Sequence, residues 1–351
     1  MPGIMISPKP ITIVGGGLAG LTLGIGLCQR DVPVTVLEAG AYPRHRVCGE
    51  FISGRGLAAL SNLGLLEPLR RAGAVNAKSA AFYTPTRNTK PRPLPVPATC
   101  ISRFVLDAWL AAEFTRRGGK LLTHARQGDD DWREGTVRAT GRQLNHRQNV
   151  EPWFGLKIHA RKVALAADLE MHVSASGYVG LCKLGNDEIN VCGLFRKRGG
   201  ENSGSPNVRE WLQGEPGSPL RKRLANAEFD ASSFCAVAGI SLQPKRAFSR
   251  QDLCLGDAIT MIPPVTGNGM SMAFESAEIA LEPLANWSRG ILSWTEAQRR
   301  IARECDAAFR RRLSWAKWLQ RFILTPSLQN PLVSLVNRSD WFWRLAFDKT
   351  R

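Results

Sequence analysis

The run Gly15-Gly16-Gly17-Leu18-Ala19-Gly20 narrows what this chain can fold into more than any other feature. It fits Gly-x-Gly-x-x-Gly through Gly15, Gly17 and Gly20, and its flanks give the spacing meaning. Pro10 to Val14 reads as a short apolar strand, Leu18 to Gln29 as a helix, and Val32 to Leu37 alternates like a second strand. In such a βαβ unit Gly15 allows the tight turn and Gly17 lets the backbone approach a pyrophosphate with no Cβ in the way. Gly20 lets helix and strand pack closely. The helix start at Leu18 and Ala19 then offers free N–H groups and a positive dipole end to phosphates. Glu38, followed by Ala39, closes the second strand 18 residues beyond Gly20. A carboxylate there can accept from both ribose hydroxyls, and its charge disfavours a 2′-phosphate.

A second motif separates FAD from a nicotinamide cofactor. Cys254-Leu-Gly-Asp-Ala258 follows a strand predicted at 253–255 and leads through Ile262-Pro-Pro-Val-Thr-Gly-Asn-Gly-Met270 into a helix predicted over 268–284. Asp257 at a strand end can accept from a ribityl hydroxyl while Gly256 lets the chain pass close by. Pro264, Gly267, Asn268, Gly269 and Met270 form the approach to the helix, whose N-terminal dipole would point at the pyrimidine edge of a flavin. A reduced flavin carries negative charge at that edge, so a helix end stabilises it. A nicotinamide dehydrogenase has no need of this arrangement.

The rest of the chain reads as follows. Residues 54–72 have Leu at a roughly helical period, the five prolines within 80–99 restrict that stretch to loop or edge strand, and 102–117 is an amphipathic helix ending at Gly118-Gly119. Residues 128–135 are polar and acidic, a loop; 150–195 hold several strand-like runs; 199–218 are a loop with a short helix near 208–212. This predicts an α/β fold in which a Rossmann-like FAD-binding domain carries an inserted β-sheet substrate domain and a helical C-terminal tail. The FAD-binding domain is expected to be discontinuous, over 1–75, 100–150 and 240–290. The β-rich substrate domain then covers 76–99 and 151–239, and basic, Trp-rich helices cover 291–351.

Charge and cysteines bound the partners. The net charge of +17 implies attraction to something anionic: a nucleic acid, a lipid surface, or an acidic substrate or cofactor. The basic residues are spread along the chain and enriched in the tail, which argues against a nucleic-acid module. Eight cysteines without a C-x-x-C pair, and five histidines without H-x-x-x-H spacing, read as reduced thiols of a cytoplasmic enzyme with no metal. The uncharged stretch 11–28 contains six glycines and no clear cleavage region, which argues against a targeting segment or a membrane span. In the tail, Trp and Arg interleave over 310–351. That pattern suits an anionic membrane interface, and it suits slightly better a helical cap that buries its Trp face against the flavin domain.

The glycine turn with Glu38, Arg103 within Ile-Ser-Arg-Phe-Val-Leu-Asp-Ala-Trp-Leu, and Gly256-Asp257 with 263–269 together resemble flavoproteins of the para-hydroxybenzoate hydroxylase fold. Arg46-Val-Cys-Gly-Glu50 and Gly177-Tyr178 with Asn190-Val191 are most similar to the geranylgeranyl reductase-like branch. The resemblance covers about 1–285. It implies that Arg46 and Arg103 contact the FAD, and that Asp257 and Asn268-Gly269 meet its ribityl and isoalloxazine parts. Two departures stand out. The segment 121–142 is compressed, as though a small β-meander were trimmed, with only Ala139-Thr-Gly-Arg142 matching the family's element. The Gly-Trp-x-Trp-x-Ile-Pro signature of flavin halogenases is absent, which argues against halogenation. The compressed segment also leaves room for a second reading, a protein of this fold with impaired FAD binding.

Two chemistries fit. One is hydride transfer from reduced flavin to a carbon–carbon double bond; the other is hydroxylation through a flavin hydroperoxide. Cys48 and Tyr178 are the catalytic candidates: Cys48 as a proton donor or a substrate contact, and equally explicable as a plain buried cysteine; Tyr178 as a proton donor, although a Tyr opening a strand is more often a packing residue. Trp153, Phe154 and Val179 are expected to line an apolar substrate pocket for an isoprenoid, alkyl or aryl chain. No second Gly-x-Gly-x-x-Gly exists, so NAD(P)H binds transiently or a separate reductase is the electron donor.

Overall fold

The computed structural model describes residues 7–128, 132–142, 153–196 and 210–349. The first part of the chain runs β1 (Ile11–Val14), α1 (Leu18–Cys28), β2 (Val34–Glu38), β3 (Phe51–Ile52), α2 (Arg55–Asn62), α3 (Leu66–Arg71), β4 (Val75–Tyr83), β5 (Arg92–Cys100), α4 (Arg103–Arg116), β6 (Lys120–Thr123) and β7 (Thr136–Arg138). There follow β8 (Trp153–Arg161), β9 (Leu169–Val173), β10 (Gly177–Lys183), β11 (Ile189–Arg196), α5 (Glu210–Gln213), α6 (Pro219–Arg223) and β12 (Glu228–Val237). Four helices end the chain: α7 (Gly269–Ser288), α8 (Trp294–Leu324), α9 (Pro326–Arg338) and α10 (Asp340–Lys349).

The strands form two sheets. One is parallel throughout, in the order β6-β2-β1-β7, with Ile11 opposite Val34 and Thr12 opposite Thr136. Its central strand is apolar because both faces are covered. Helix α1 packs so closely that it uses glycine as a spacer. A Cβ on Gly24 would lie 2.7 Å from the Phe114 ring of α4, and one on Gly26 would lie 2.5 Å from Leu281 of α7.

The second sheet has eight strands in the order β12-β8-β11-β10-β9-β4-β5-β3, antiparallel except where β4 meets β9. Alternation along each strand sends Leu156, Ile158, Val179, Ile189 and Val191 to the face covered by α5 and α6, through Leu212 and Leu220. The other face turns toward the first sheet. The two-residue β3 leaves the N-terminal segment to pair at the edge of this sheet, with Phe51 opposite Cys100.

Three local expectations change. The single helix predicted over 54–72 is two helices, because Gly64 takes φ +67° and Leu65 N donates to Leu60 O across 2.8 Å, a glycine-terminated helix end. The strand predicted at 253–255 is one parallel bridge, Arg138 to Cys254, cut short by Gly256 at φ +57°. The proline stretch is β5, whose Pro93–Pro97 part lies beyond the reach of β3; there the indole N–H of Trp343 donates to Pro93 O across 2.8 Å.

The C-terminal helices bridge both halves. Ser293 and Glu296 form a reciprocal capping box at the start of α8. The first half of α8 packs into the core of the parallel sheet through Ala297, Ile301, Phe309 and Leu313. Arg312 pairs with buried Glu275 of α7, fixing the two helices against each other. Ile323 then reaches the second sheet, and Val336, Trp343 and Phe347 pack on Ala80, Leu94 and Ala98. Among the described residues no helix is long and apolar enough to cross a membrane.

Candidate active site

At the first glycine turn, each glycine answers to a different neighbour. Gly15 takes φ +111°, and a Cβ there would lie 2.3 Å from Ala139 O. A Cβ on Gly20 would lie 2.0 Å from Gly15 O, so this glycine serves helix–strand packing and does not line the cavity. A Cβ on Gly17 would meet nothing within 4 Å: it would project into open space. Glu38 is buried at the end of β2, where Oε2 accepts from Gly16 N at 2.9 Å and Oε1 from Gly40 N at 2.9 Å and Arg44 at 2.6 Å. Burial works to raise the Glu38 pKa, but the Gly40 amide and the Arg44 and Arg46 cations outweigh it and hold the carboxyl below its ordinary value. The Tyr42 hydroxyl donates to Gly16 O.

Arg46 and Arg103 are organised by a residue that motif reading passed over. Asp107, fully buried on α4, accepts from Arg103 Nε at 2.6 Å and Arg103 Nη2 at 2.7 Å, and from Arg46 Nε at 3.2 Å. The i, i+4 spacing of Arg103 and Asp107 was the available signal. Cys48 lies beside them, with Sγ accepting from Glu50 N at 3.4 Å. Burial pushes its thiol up despite the pull of Arg103, so Cys48 keeps its proton at neutral pH.

The second motif closes on the first. A Cβ on Gly256 would sit 3.2 Å from the Cβ of Ala19 in α1, across more than two hundred residues of chain. Asp257 stands next to it, its carboxyl pushed up to about 6 by burial against the opposing pull of Arg103 and Arg142. Gly267 at φ +64° turns the chain into α7, and a Cβ on Gly269 would again meet open space. The Asn268 side chain departs from expectation: it is fully buried, does not line the cavity, and neither Nδ2 nor Oδ1 has a partner among the described residues.

One cavity of about 970 Å³ joins these elements. Gly15, Gly17, Leu18, Ala19, Glu38, Ala39, Arg46, Cys48, Arg103, Gly256, Asp257, Pro264, Gly267, Gly269 and Met270 all line it. The compressed segment still contributes wall through Gln127, Trp132, Thr140 and Arg142; Arg138 stacks over Trp132 at 3.5 Å and pairs with Asp252 at 2.7 Å. The cavity continues past Tyr178 between the second sheet and the tail, where Leu94, Met171, Leu194, Leu319, Val333 and Phe347 face it.

The three residues expected to line the substrate pocket do not. Val179 and Phe154 have the wrong parity: Val179 packs under α5 and α6, and Phe154 packs on Phe195 and Trp211. Trp153 joins the cluster around Tyr178 without reaching the cavity. The tail takes their place, which no local pattern in 310–351 could announce. Tyr178 does line the cavity; burial raises its phenol well above the ordinary value, and its hydroxyl has no partner among the described residues.

Residues 9–152 match a family model described as an FAD binding domain. The chain is 24% identical over 367 residues to a menaquinone reductase of Mycolicibacterium smegmatis, covering 89% of this chain and 85% of the relative. It is also 24% identical over 312 residues to digeranylgeranylglycerophospholipid reductase 2 of Methanothermobacter thermautotrophicus, covering 78% of this chain and 77% of that one. This chain is an FAD-dependent oxidoreductase. Solved structures share its fold. A probable FAD-dependent monooxygenase from Pseudomonas aeruginosa superposes with a TM-score of 0.70 at 18% identity, over 93% of this chain and 99% of the other. A flavoprotein/dehydrogenase from Cytophaga hutchinsonii gives 0.79 at 14%, over 97% and 92%. The flavoprotein thus has the para-hydroxybenzoate hydroxylase fold. Its glycines fit an FAD, because at both Gly17 and Gly269 the backbone borders open space in one shared cavity.

Proposed function

We propose that this flavoprotein reduces a carbon–carbon double bond in an apolar, isoprenoid-bearing molecule. The observation that carries the reading is the continuity of the cavity: a polar crevice built by the two glycine motifs opens directly into an apolar chamber walled by the second sheet and the tail. Both curated relatives are named as reductases, of menaquinone and of a digeranylgeranyl lipid, which supports an isoprenoid substrate.

In this reading Gly15, Gly17 and the start of α1 hold the pyrophosphate, and Glu38 takes the ribose hydroxyls. Asp257 accepts from the ribityl chain, and the backbone at Gly269 faces the flavin ring. When bound, FAD supplies two-electron hydride chemistry. The chain's own residues do the rest. The apolar chamber excludes water and aligns the chain of the substrate. Cys48 and Tyr178, both protonated at neutral pH, stand on the wall as proton donors. The unpartnered Tyr178 hydroxyl favours a role toward substrate, since an orphaned buried donor otherwise costs about 1–3 kcal/mol.

The electron donor in this reading is NAD(P)H binding transiently, or a separate reductase. We place the enzyme in the cytoplasm, at a membrane surface. Trp318, 41% exposed, lies on α8 with Arg311, Lys317 and Arg321, and Trp341, 71% exposed, lies on α10 with Arg344, a composition suited to anionic lipid. Trp318 also lines the cavity, so a lipid-dissolved substrate would enter from that side.

Product analysis with and without oxygen tests the function. The holoenzyme is incubated anaerobically with dithionite and menaquinone or a geranylgeranyl lipid, and products are identified by mass. Gain of two hydrogens in the isoprenoid chain without oxygen, kept after any quinol has been reoxidised, is the expected result. Turnover that demands oxygen and adds an oxygen atom would transfer the enzyme to the monooxygenases.

A further inference from the structure

We infer that Glu188, His159 and Glu50 form a proton path from the protein surface to the cavity wall beside Cys48. His159 lies on β8, 2% exposed, with an imidazole placed between two carboxylates. Its Nε2 is 2.7 Å from Glu50 Oε2 and its Nδ1 is 3.4 Å from Glu188 Oε2. An imidazole held in this way takes a proton at one nitrogen and gives one up at the other. The outer carboxylate, Glu188, has a side chain 27% exposed, with Arg161 Nη2 3.7 Å away. The inner one, Glu50, is completely buried and lines the cavity.

The surroundings favour transport over structure. Burying a carboxylate, an imidazole and an ammonium together is costly, and well-packed apolar groups of similar volume would be at least as stable. The fold nonetheless keeps Glu50 in the left-handed region, at φ +60°, which strains a residue with a side chain. Every ionisable neighbour has a place in the arrangement. Lys157, fully buried on β8, lies 3.6 Å from Glu50 Oε1 and 3.0 Å from His45 Nδ1, so it balances one negative charge. Burial, then Lys157 and His159, push the His45 imidazole below its ordinary value, leaving it a neutral acceptor. The Arg103 amide donates to Glu50 Oε1 at 2.8 Å. Asp230 and Cys235 on β12, Cys192 on β11, Cys182 on β10 and Cys48 are further groups that feel these charges.

In one passage a proton from solvent passes by way of Glu188 to His159 Nδ1. The Nε2–H proton moves to Glu50 Oε2, and Glu50 hands it into the cavity. The passage leaves the ring as its Nδ1–H tautomer, and the next passage follows once the ring has returned to the Nε2–H tautomer. One proton leaves solvent, one enters the cavity, and no electron moves. Saturating a double bond adds one hydride and one proton, and this path supplies the proton; that use rests on the function proposed above.

Proton uptake tests it without any substrate. The FAD-loaded enzyme, in weak buffer with a pH-indicator dye, is reduced by a light flash with deazaflavin, and flavin bleaching and dye response are followed together. In the wild type the two signals coincide. In His159→Gln the dye response lags by roughly 10²-fold, the lower end of what a positioned acid–base group contributes. Glu188→Gln, at the surface and harmless to folding, lags by roughly tenfold at neutral pH with the bleaching rate unchanged. If uptake keeps pace with bleaching in Glu188→Gln, the path is wrong, whether or not His159→Gln folds. A lag in these variants combined with no reduction of any isoprenoid would keep the path and remove only the proposed reaction.

Discussion

The Gly16 amide donates to Oε2 of Glu38 across 2.9 Å, tying the first glycine turn to the end of the second strand. The same carboxylate holds Gly40 and Arg44, so one residue shapes the whole ribose end of the crevice. Replacing Glu38 with Gln removes the charge from these bonds. Hydrogen bonds to charged groups contribute about 1.5–3 kcal/mol, which corresponds to FAD binding weaker by about 10- to 100-fold. Quenching of FAD fluorescence on titration into cofactor-free protein reads the change, and an unaltered affinity would move the ribose elsewhere.

Gly17 and Gly20 separate binding from folding. A side chain on Gly17 enters open space, so Gly17→Val is expected to melt like the cofactor-free wild type while losing its flavin. Gly20→Val drives a side chain into Gly15 O and is expected to unfold the domain or lower its melting temperature by many degrees. Thermal melts beside flavin absorbance distinguish the two. A yellow Gly17→Val protein would contradict the position assigned to the phosphates.

Asp257 makes the cofactor-free protein sensitive to pH. Its folded pKa of about 6 lies above the unfolded value, so the folded state binds its proton more tightly. The resulting stability is fully present below about pH 4 and is lost as pH rises through about 6. Asp257→Asn mimics the protonated form at every pH. The variant should match the wild type near pH 4 and exceed it above pH 6 by up to about 3 kcal/mol. Denaturant curves on cofactor-free protein across that range provide the comparison; parallel curves would show that the carboxyl titrates normally.

Two tail tryptophans are expected to answer different assays. Trp343 is 8% exposed and bonded to Pro93 O, and Trp343→Ala should cost about 3–5 kcal/mol while opening the apolar chamber. Trp341 is 71% exposed, and Trp341→Ala should leave stability unchanged while weakening flotation with anionic vesicles. Equal flotation of wild type and variant would take this tryptophan out of any lipid contact.

The amino-acid sequence by itself determined the cofactor end of this molecule. Gly15, Gly17, Gly20, Glu38 and Gly256-Asp257 are constrained locally, by backbone turns and strand ends whose chemistry is written into short spacings. Strand parity was written there too, and it could have excluded Val179 and Phe154 from the cavity had the facing of the sheet been known. Only the tertiary structure decided that facing. It likewise brought Asp107 under two arginines, joined His159 to Glu50 across 109 residues, and laid the tail over the second sheet as a wall of the chamber. These pairings depend on which surfaces meet when long stretches of chain close on each other, and an amphipathic helix carries the same pattern whether it faces a lipid or a sheet.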